Sequence, residues 1–409
     1  MSKILQIALG VLAAIGGFVD IGDLVFNTEA GATFGYQLLW AVVLGAIGIV
    51  VYSEMCGRVA TVAKRPVFEA VRERLGYDVG LTTLVASQFT NFLTCVAEVG
   101  GVAIILRHLF GLPYRPLIVL ALVILLVSVW ALPFEYIERI YGFGGLLLIV
   151  FTVAALKLEP DWGRFGAGLV PHVHTGEYFI WAYFVVGLIS ATLMPYEVYF
   201  YSSGGIEDGW TPPSDLKLNK VTAVFGYGVG TLLSFSLMVV AAELFLPQSI
   251  SPEFLGTVAL GAQIPLGQAG LLLGLLGMFF AVAGASIDTS LAGAYNLAQF
   301  LGWDWGKYRR PAGAPRFTLT WIAFFVLAAA IVSTGVDPVL VTEFAVVFSA
   351  VALPFTYLPV LLIARDRNYM GEYANGRVGN ALGWFYLLVI VVIALAAIPL
   401  LVLTNTGQG

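Results

Sequence analysis

Asp20 and Asp23 stand three residues apart around Gly22, inside an apolar stretch that begins near Ile4. Carboxylates at membrane depth are costly unless paired or ligating, and they mark function by default. Two of them flanking an unwound turn can converge on one hard or borderline cation. The plainer reading is that one aspartate caps the helix after it, accepting its free N–H groups. The two roles can coexist. A second interruption lies at Ala191-Thr192-Leu193-Met194-Pro195-Tyr196, inside the stretch that begins near Tyr178. Pro195 removes a backbone donor and disturbs the preceding turn, which frees carbonyls near Ala191. Met194 offers a thioether, a soft donor that tolerates Mn²⁺, Fe²⁺ or Cd²⁺ and gives Mg²⁺ or Ca²⁺ nothing. Taken alone it reads as a gap-filling core methionine. Opposite an aspartate pair it reads as a ligand. Glu197 falls one turn beyond Met194 on the same helical face. It is either a third carboxylate around the ion or an acid of the adjoining vestibule.

The elements that must position these groups are membrane spans. The 409 residues are 59% hydrophobic and 11% charged, with a mean hydropathy of +0.92, a composition that places the chain in the bilayer. Eleven apolar stretches are expected at 4–28, 34–57, 80–107, 116–132, 137–157, 177–202, 219–246, 266–301, 317–334, 338–364 and 382–404. The charged, amphipathic stretch 66–76 is expected at the membrane interface. The interrupted stretches are the first and the sixth. The spans therefore divide as five, five and one, with residues 1–160 and 161–365 as two units of opposite orientation and 366–409 as a loop and last span. Paired broken helices in two inverted repeats are the sequence pointer to a transport site near the bilayer midplane. No letter-by-letter repeat accompanies this symmetry.

Orientation follows from the basic residues. With the N-terminus inside, Lys3, Arg58, Lys64, Arg65, Arg72, Arg74, Arg139, Lys217, Lys220, Lys307, Arg309, Arg310, Arg316, Arg365, Arg367 and Arg377 lie on the cytoplasmic side. Only Arg107, Arg115, Lys157 and Arg164 lie outside. The C-terminus is then external. The first span runs on from Met1-Ser2-Lys3 without a small-residue cleavage site, so no secretory leader is expected. Short termini and compact loops point to a prokaryotic plasma membrane. Cys56 and Cys95 fall in apolar spans and are expected as reduced, packed thiols. The chain shows no phosphate-loop or His-Glu-x-x-His signature. It also lacks a basic patch with interleaved aromatics, so neither an enzyme nor a nucleic-acid partner is expected. The expected partners are a divalent cation and the lipid bilayer, with no resident cofactor.

Phe18-Val19-Asp20-Ile21-Gly22-Asp23, with Glu29 to Trp40 after it, resembles the first two spans of the Nramp family of divalent-metal transporters. Ala191-Thr192-Leu193-Met194-Pro195 resembles that family's sixth span. Ser290-Leu291-Ala292-Gly293 with Gln299-Phe300-Leu301-Gly302 resembles its eighth. Leu353-Pro354-Phe355 and Met370-Gly371-Glu372-Tyr373-Ala374-Asn375 resemble the tenth and the loop after it. The resemblance implies an all-α, LeuT-type 5+5 inverted repeat with interrupted helices 1 and 6, importing Mn²⁺ or Fe²⁺, usually with protons. By position it gives the metal Asp20, Asp23, Met194 and the carbonyl of Ala191.

The departures are chemical. The family's Asp-Pro-Gly-Asn is Asp-Ile-Gly-Asp here, so Asp23 replaces an amide. Its Met-Pro-His is Met-Pro-Tyr, with Tyr196 for a histidine, and Tyr201 replaces a second one. A family acid pair in the third span is Cys95 and Glu98. Histidine suits proton relay near neutral pH and tyrosine does not, so proton coupling is expected to be weakened or absent. Glu98 is either a relay acid or a hydrogen-bonded structural carboxylate. Asp288, where the family carries a hydroxyl, either joins a polar network or is a satisfied buried acid. Glu54 and Glu243 read as interfacial, and His172 and His174 as a solvated loop. Gly22 is the expected hinge, with Pro195 as its counterpart. Two alternatives share this architecture. One is an uncoupled Mg²⁺ carrier, favoured by the added carboxylates and opposed by Met194. The other is a Na⁺-coupled organic-solute symporter, which paired aspartates at the first break disfavour. A metal sensor without turnover finds no support in a chain almost devoid of soluble domains.

Overall fold

The structure is a computed structural model that describes residues 19–173, 176–250 and 255–407. The first half of the expected 4–28 span, up to residue 18, lies outside the described residues, as does His174. The second half of that span is α1 (Ile21–Phe34). Then come α2 (Leu39–Ala63), α3 (Val67–Leu75), α4 (Tyr77–Phe110) and α5 (Tyr114–Ala131). Next are α6 (Phe134–Gly145) and α7 (Ile149–Lys157), joined through a 3₁₀ turn at Leu146–Leu148 into one span. The short α8 (Trp162–Gly168) precedes the second broken element, α9 (Tyr178–Thr192) with α10 (Pro195–Glu207). The chain continues as α11 (Ser214–Leu244), α12 (Leu255–Leu301), α13 (Pro315–Ser333), α14 (Pro338–Arg365) and α15 (Arg377–Leu403).

Ten helical segments among the described residues are long and apolar enough to cross a membrane. The half-helix α1 stands beside them. The span expected at 266–301 is longer than its apolar stretch: α12 already begins at Leu255 and bends at Gly267 (φ +69°, ψ −156°), two residues after Pro265. Proline denies a ladder bond and only glycine enters that dihedral region freely.

Hydrogen bonds tie one set of connections together at one end of the bundle. Arg58 reaches the Tyr373 carbonyl and Asn375 Oδ1, both at 2.6 Å. Arg74 pairs with Asp366 at 2.6 Å. Trp305 Nε1 donates to Glu69 at 3.2 Å, and Lys307 Nζ to the Leu132 carbonyl at 3.1 Å. This is the basic end. The hydrogen bond from Arg74 holds the Asp366 carboxyl below the usual carboxylate range. The apolar face of α3 is covered by protein: Val67, Phe68, Ala70 and Val71 are fully buried, packed against α2, α4, α12 and α14.

Close backbone approach seats the broken helices. A Cβ on Gly31 of α1 would stand 2.3 Å from the Met238 carbonyl oxygen of α11, and one on Gly187 of α9 would stand 2.1 Å from the Phe26 ring. Small residues at such crossings let membrane helices pack by van der Waals contact. A Gly31→Val chain is expected to lose about 1–3 kcal/mol of stability. It should melt earlier in detergent than the parent. An unchanged melting temperature would show that α1 does not rest on α11.

Candidate functional site

α1 begins where it does because two carboxylates take its orphan N–H groups. Asp20 is the N-cap, extended at φ −94°, ψ −174°, and its Oδ1 accepts from the Asp23 N–H at 2.9 Å. Glu98 of α4 accepts from the Ile21 N–H at 3.2 Å. The capping role therefore falls to Asp20, and Glu98 shares it. Asp20 keeps a second oxygen, which accepts from the Tyr196 hydroxyl at 3.3 Å. Asp23 Oδ1 accepts from Asn27 Nδ2 at 3.0 Å and from Ser234 Oγ at 3.4 Å, while Oδ2 has no partner. Gly22 is helical. A Cβ there would crowd Asp20 Oδ1 and Val346 at 3.0 and 3.2 Å, so glycine lets the start of α1 pack closely on α14.

At the second break, Leu193 and Met194 leave the helix between Thr192 and Pro195. The Ala191 carbonyl would normally accept from the residue four further on. That residue is Pro195, which has no N–H. Met194 is 1% exposed. Glu197, in the first turn of α10, is 6% exposed, and neither of its carboxylate oxygens has a partner. It lies within electrostatic reach of Asp20, Asp23 and Asp288.

Asp20, Asp23, Glu98 and Glu197 are all buried. None takes part in an ion pair among the described residues; the five ion pairs found there involve other acids. Asp23 Oδ2, Asn27 Oδ1, Glu98 Oε2 and both oxygens of Glu197 are acceptors facing no donor. Such atoms are expensive in a dry interior, and one cation could satisfy several of them at once. Among the described residues, no three His, Cys, Asp or Glu side chains converge tightly enough to form a metal cluster. The donors on offer are instead mixed: carboxylates from one break, with a carbonyl and a thioether from the other.

The remaining sequence candidates separate. Tyr196 joins the aspartates through Asp20. Tyr201 does not: its hydroxyl donates to the Asn219 carbonyl and Oδ1 at 3.0 and 2.9 Å. Asn219 in turn bonds the Glu54 carbonyl at 3.0 Å, so Tyr201 belongs to the network at the basic end. Asp288 on α12 is half-buried, within electrostatic reach of Glu98 and Glu197. Glu54 pairs with Arg58 at 2.8 Å, and Glu243 accepts from Tyr36. His172 is exposed in its loop. Sequence reasoning misses Asn27 and Ser234. Asn27 lies four residues beyond Asp23, a helical spacing visible in the sequence, whereas Ser234 is 211 residues away.

Aromatic and polar contacts lie on both sides of this cluster among the described residues. Toward the basic end lie buried rings, with Phe68 and Tyr199 centred 4.7 Å apart and Tyr52 and Tyr357 4.9 Å apart. Toward the opposite end, Tyr36 bonds Glu243, and the Arg164 guanidinium sits 5.8 Å from the Tyr36 ring centre.

Membrane-length helices around a buried group of carboxylates that enter no ion pair among the described residues define a multi-pass membrane protein. The chain belongs to the Nramp family: the family model for natural resistance-associated macrophage protein-like sequences matches residues 10–399. Among its relatives is the divalent metal cation transporter MntH of Deinococcus radiodurans, 26% identical over 393 residues, covering 93% of this chain and 86% of that protein. The MntH of Levilactobacillus brevis is 25% identical over 406 residues, covering 94% and 86%. Two mutants of the Eremococcus coleocola manganese transporter superpose with TM-scores of 0.74 and 0.75 at 19% identity, over 99% of this chain and 94% of theirs. The fold is the LeuT fold of the Nramp structures.

Proposed function

We propose that this chain moves divalent metal ions of the Mn²⁺/Fe²⁺ class across the membrane by alternating access. The observation that carries the reading is the set of unpartnered, buried carboxylate oxygens where two helix breaks meet. MntH relatives along nearly the whole chain support it. In this reading the ion is held by Asp20, Asp23, the Ala191 carbonyl and Met194, with Glu197 as a further acid beside it. Asp20 holds the ion with the oxygen that does not cap α1. The Asn27 and Ser234 bonds fix the Asp23 carboxyl while its other oxygen faces the ion.

The ion enters when the Tyr36–Glu243 contact and the Arg164 ring contact part. It leaves when the Phe68–Tyr199 and Tyr52–Tyr357 layer separates and Arg58 releases the loop at Tyr373 and Asn375. The two five-span units, 1–160 and 161–365, supply the moving parts around one fixed site, with Gly22 and Pro195 at the pivots. The basic end is cytoplasmic in this reading, because sixteen of the chain's basic residues fall on that side of the expected topology.

Proton coupling is weak or absent. The hydroxyl beside Asp20 belongs to a tyrosine, and Glu98 is engaged by the Ile21 N–H. A second reading, an uncoupled Mg²⁺ carrier, is favoured by one observation: both oxygens of Glu197 are unpartnered, and extra carboxylate charge suits a hard ion. Proteoliposomes loaded with a pH dye separate the two. Mn²⁺ influx is expected to persist in a large excess of external Mg²⁺, without acidification of the lumen. Abolition of influx by Mg²⁺ would make this the Mg²⁺ carrier. Robust metal-driven acidification would refute the uncoupled mechanism.

A further inference from the structure

α13 carries an open groove on its flank. The cavity has a volume of about 530 Å³ and is lined by Phe92, Leu297, Leu319, Ala323, Phe324 and Leu327, with Arg316 and Trp303 among the residues at one end. From Arg316 to Leu327 the helix rises about 16 Å at 1.5 Å per residue. That is close to half of a hydrocarbon core about 30 Å thick, the depth of one leaflet. Leu319 and Leu327 are more than half exposed, so the groove opens sideways to lipid.

Charge is concentrated at the Arg316 end. The Arg316 guanidinium lies 5.4 Å from the Trp303 ring centre and takes part in no ion pair among the described residues. A second cavity of about 250 Å³ lies on the other flank of α13, lined among others by Arg310, Trp130, Phe317 and Trp321. Arg309 is neutralised by Asp304 at 2.5 Å, but Arg310 enters no ion pair among the described residues. Arg316, a cation without a carboxylate partner among the described residues, stands beside Trp303 at the end of an apolar trough one leaflet deep, and this matches one kind of molecule. Its headgroup must be anionic overall and its tail must be an acyl chain. Basic pockets between spans take anionic headgroups in this way.

We propose that the groove along α13 is a binding site for one anionic glycerophospholipid of the leaflet at the basic end. Its phosphate is held by Arg316, and one acyl chain lies against Leu319, Ala323 and Leu327. Trp303 flanks the headgroup at the interface, where such rings concentrate.

Native mass spectrometry of the full chain in detergent tests this, with phosphatidylglycerol and phosphatidylcholine of identical chains offered at equal concentration. One phosphatidylglycerol is expected to stay bound with about tenfold preference. Arg316→Gln is expected to erase most of that preference, whereas Arg310→Gln, on the other flank of α13, is expected to keep it. Ala323→Trp, which fills the trough and leaves both arginines, is expected to release the lipid. None of the three residues touches the metal site, so Mn²⁺ uptake serves as the check on folding. Equal retention of the two lipids, or full preference in Arg316→Gln, would overturn the proposal. Unchanged retention in Ala323→Trp would overturn the groove as the chain's seat. Displacement of the lipid by inorganic phosphate at equal concentration would reassign the site to free phosphate and overturn it as a lipid site.

Discussion

Asp20→Asn will lose metal uptake and keep its fold. The asparagine side chain is nearly isosteric. Its carbonyl oxygen can still accept the Asp23 N–H that caps α1, while its NH₂ takes the place of Oδ2 and donates to the Tyr196 hydroxyl oxygen. What disappears is one unit of negative charge in the proposed contact with a divalent ion. At an effective dielectric of about 20, a unit charge pair at 4 Å is worth about 4 kcal/mol. For a divalent ion at ligand distance that figure is a lower bound, so binding falls by about a thousandfold or more. Uptake should drop to the liposome background. Stability of the metal-free chain should stay level or rise, since one unpaired carboxylate leaves a crowded, buried group. Two melting curves decide the matter. The parent should be stabilised by Mn²⁺ through mass action, and the variant should not. A variant that still shows the metal-dependent shift would remove Asp20 from the site.

The break in α9–α10 is legible in the sequence because it is written in one residue. Pro195 has no N–H, so the Ala191 carbonyl is freed whatever the tertiary structure does. The start of α1 is legible for a similar reason, because an aspartate before an apolar run is a cap signal. Features that depend on helix rotation or on distant partners are harder to see. Tyr196 and Tyr201 sit five residues apart, which on a helix turns one about 140° from the other. Both read as replacements in one proton path, yet the structure sends one to Asp20 and the other to Asn219. Ser234 carries no local signal at all, since its contact with Asp23 exists only because α11 packs on α1. Stretch 66–76 reads as interfacial because its pattern is amphipathic, and amphipathicity does not say whether lipid or protein covers the apolar face. The bend at Gly267 has its signals in Pro265 and Gly267. They are easily missed, because a span of ordinary length can be drawn without the residues before them.

Met194→Leu separates selectivity from packing. Met194 is 1% exposed, so truncation to alanine would open a cavity and cost about 2–5 kcal/mol. Leucine conserves the volume and is expected to cost less than about 1.5 kcal/mol, while removing the only soft donor in the proposed set. Carboxylates and a carbonyl remain, a donor set that suits Mg²⁺ and Ca²⁺ as well as Mn²⁺. Uptake of Mn²⁺ and Cd²⁺ in competition with Mg²⁺ should therefore fall by about tenfold, a change of ~1.4 kcal/mol, while Mg²⁺ transport holds or rises. Asp23→Asn should move the ratio the other way, because it removes hard anionic charge and leaves the sulfur. Opposite shifts in the two variants would show that selectivity is a contest between the two helix breaks, one hard and one soft. An unchanged Mn²⁺ to Mg²⁺ ratio in Met194→Leu would return Met194 to the role of a core side chain, and the carboxylates would then set the preference alone.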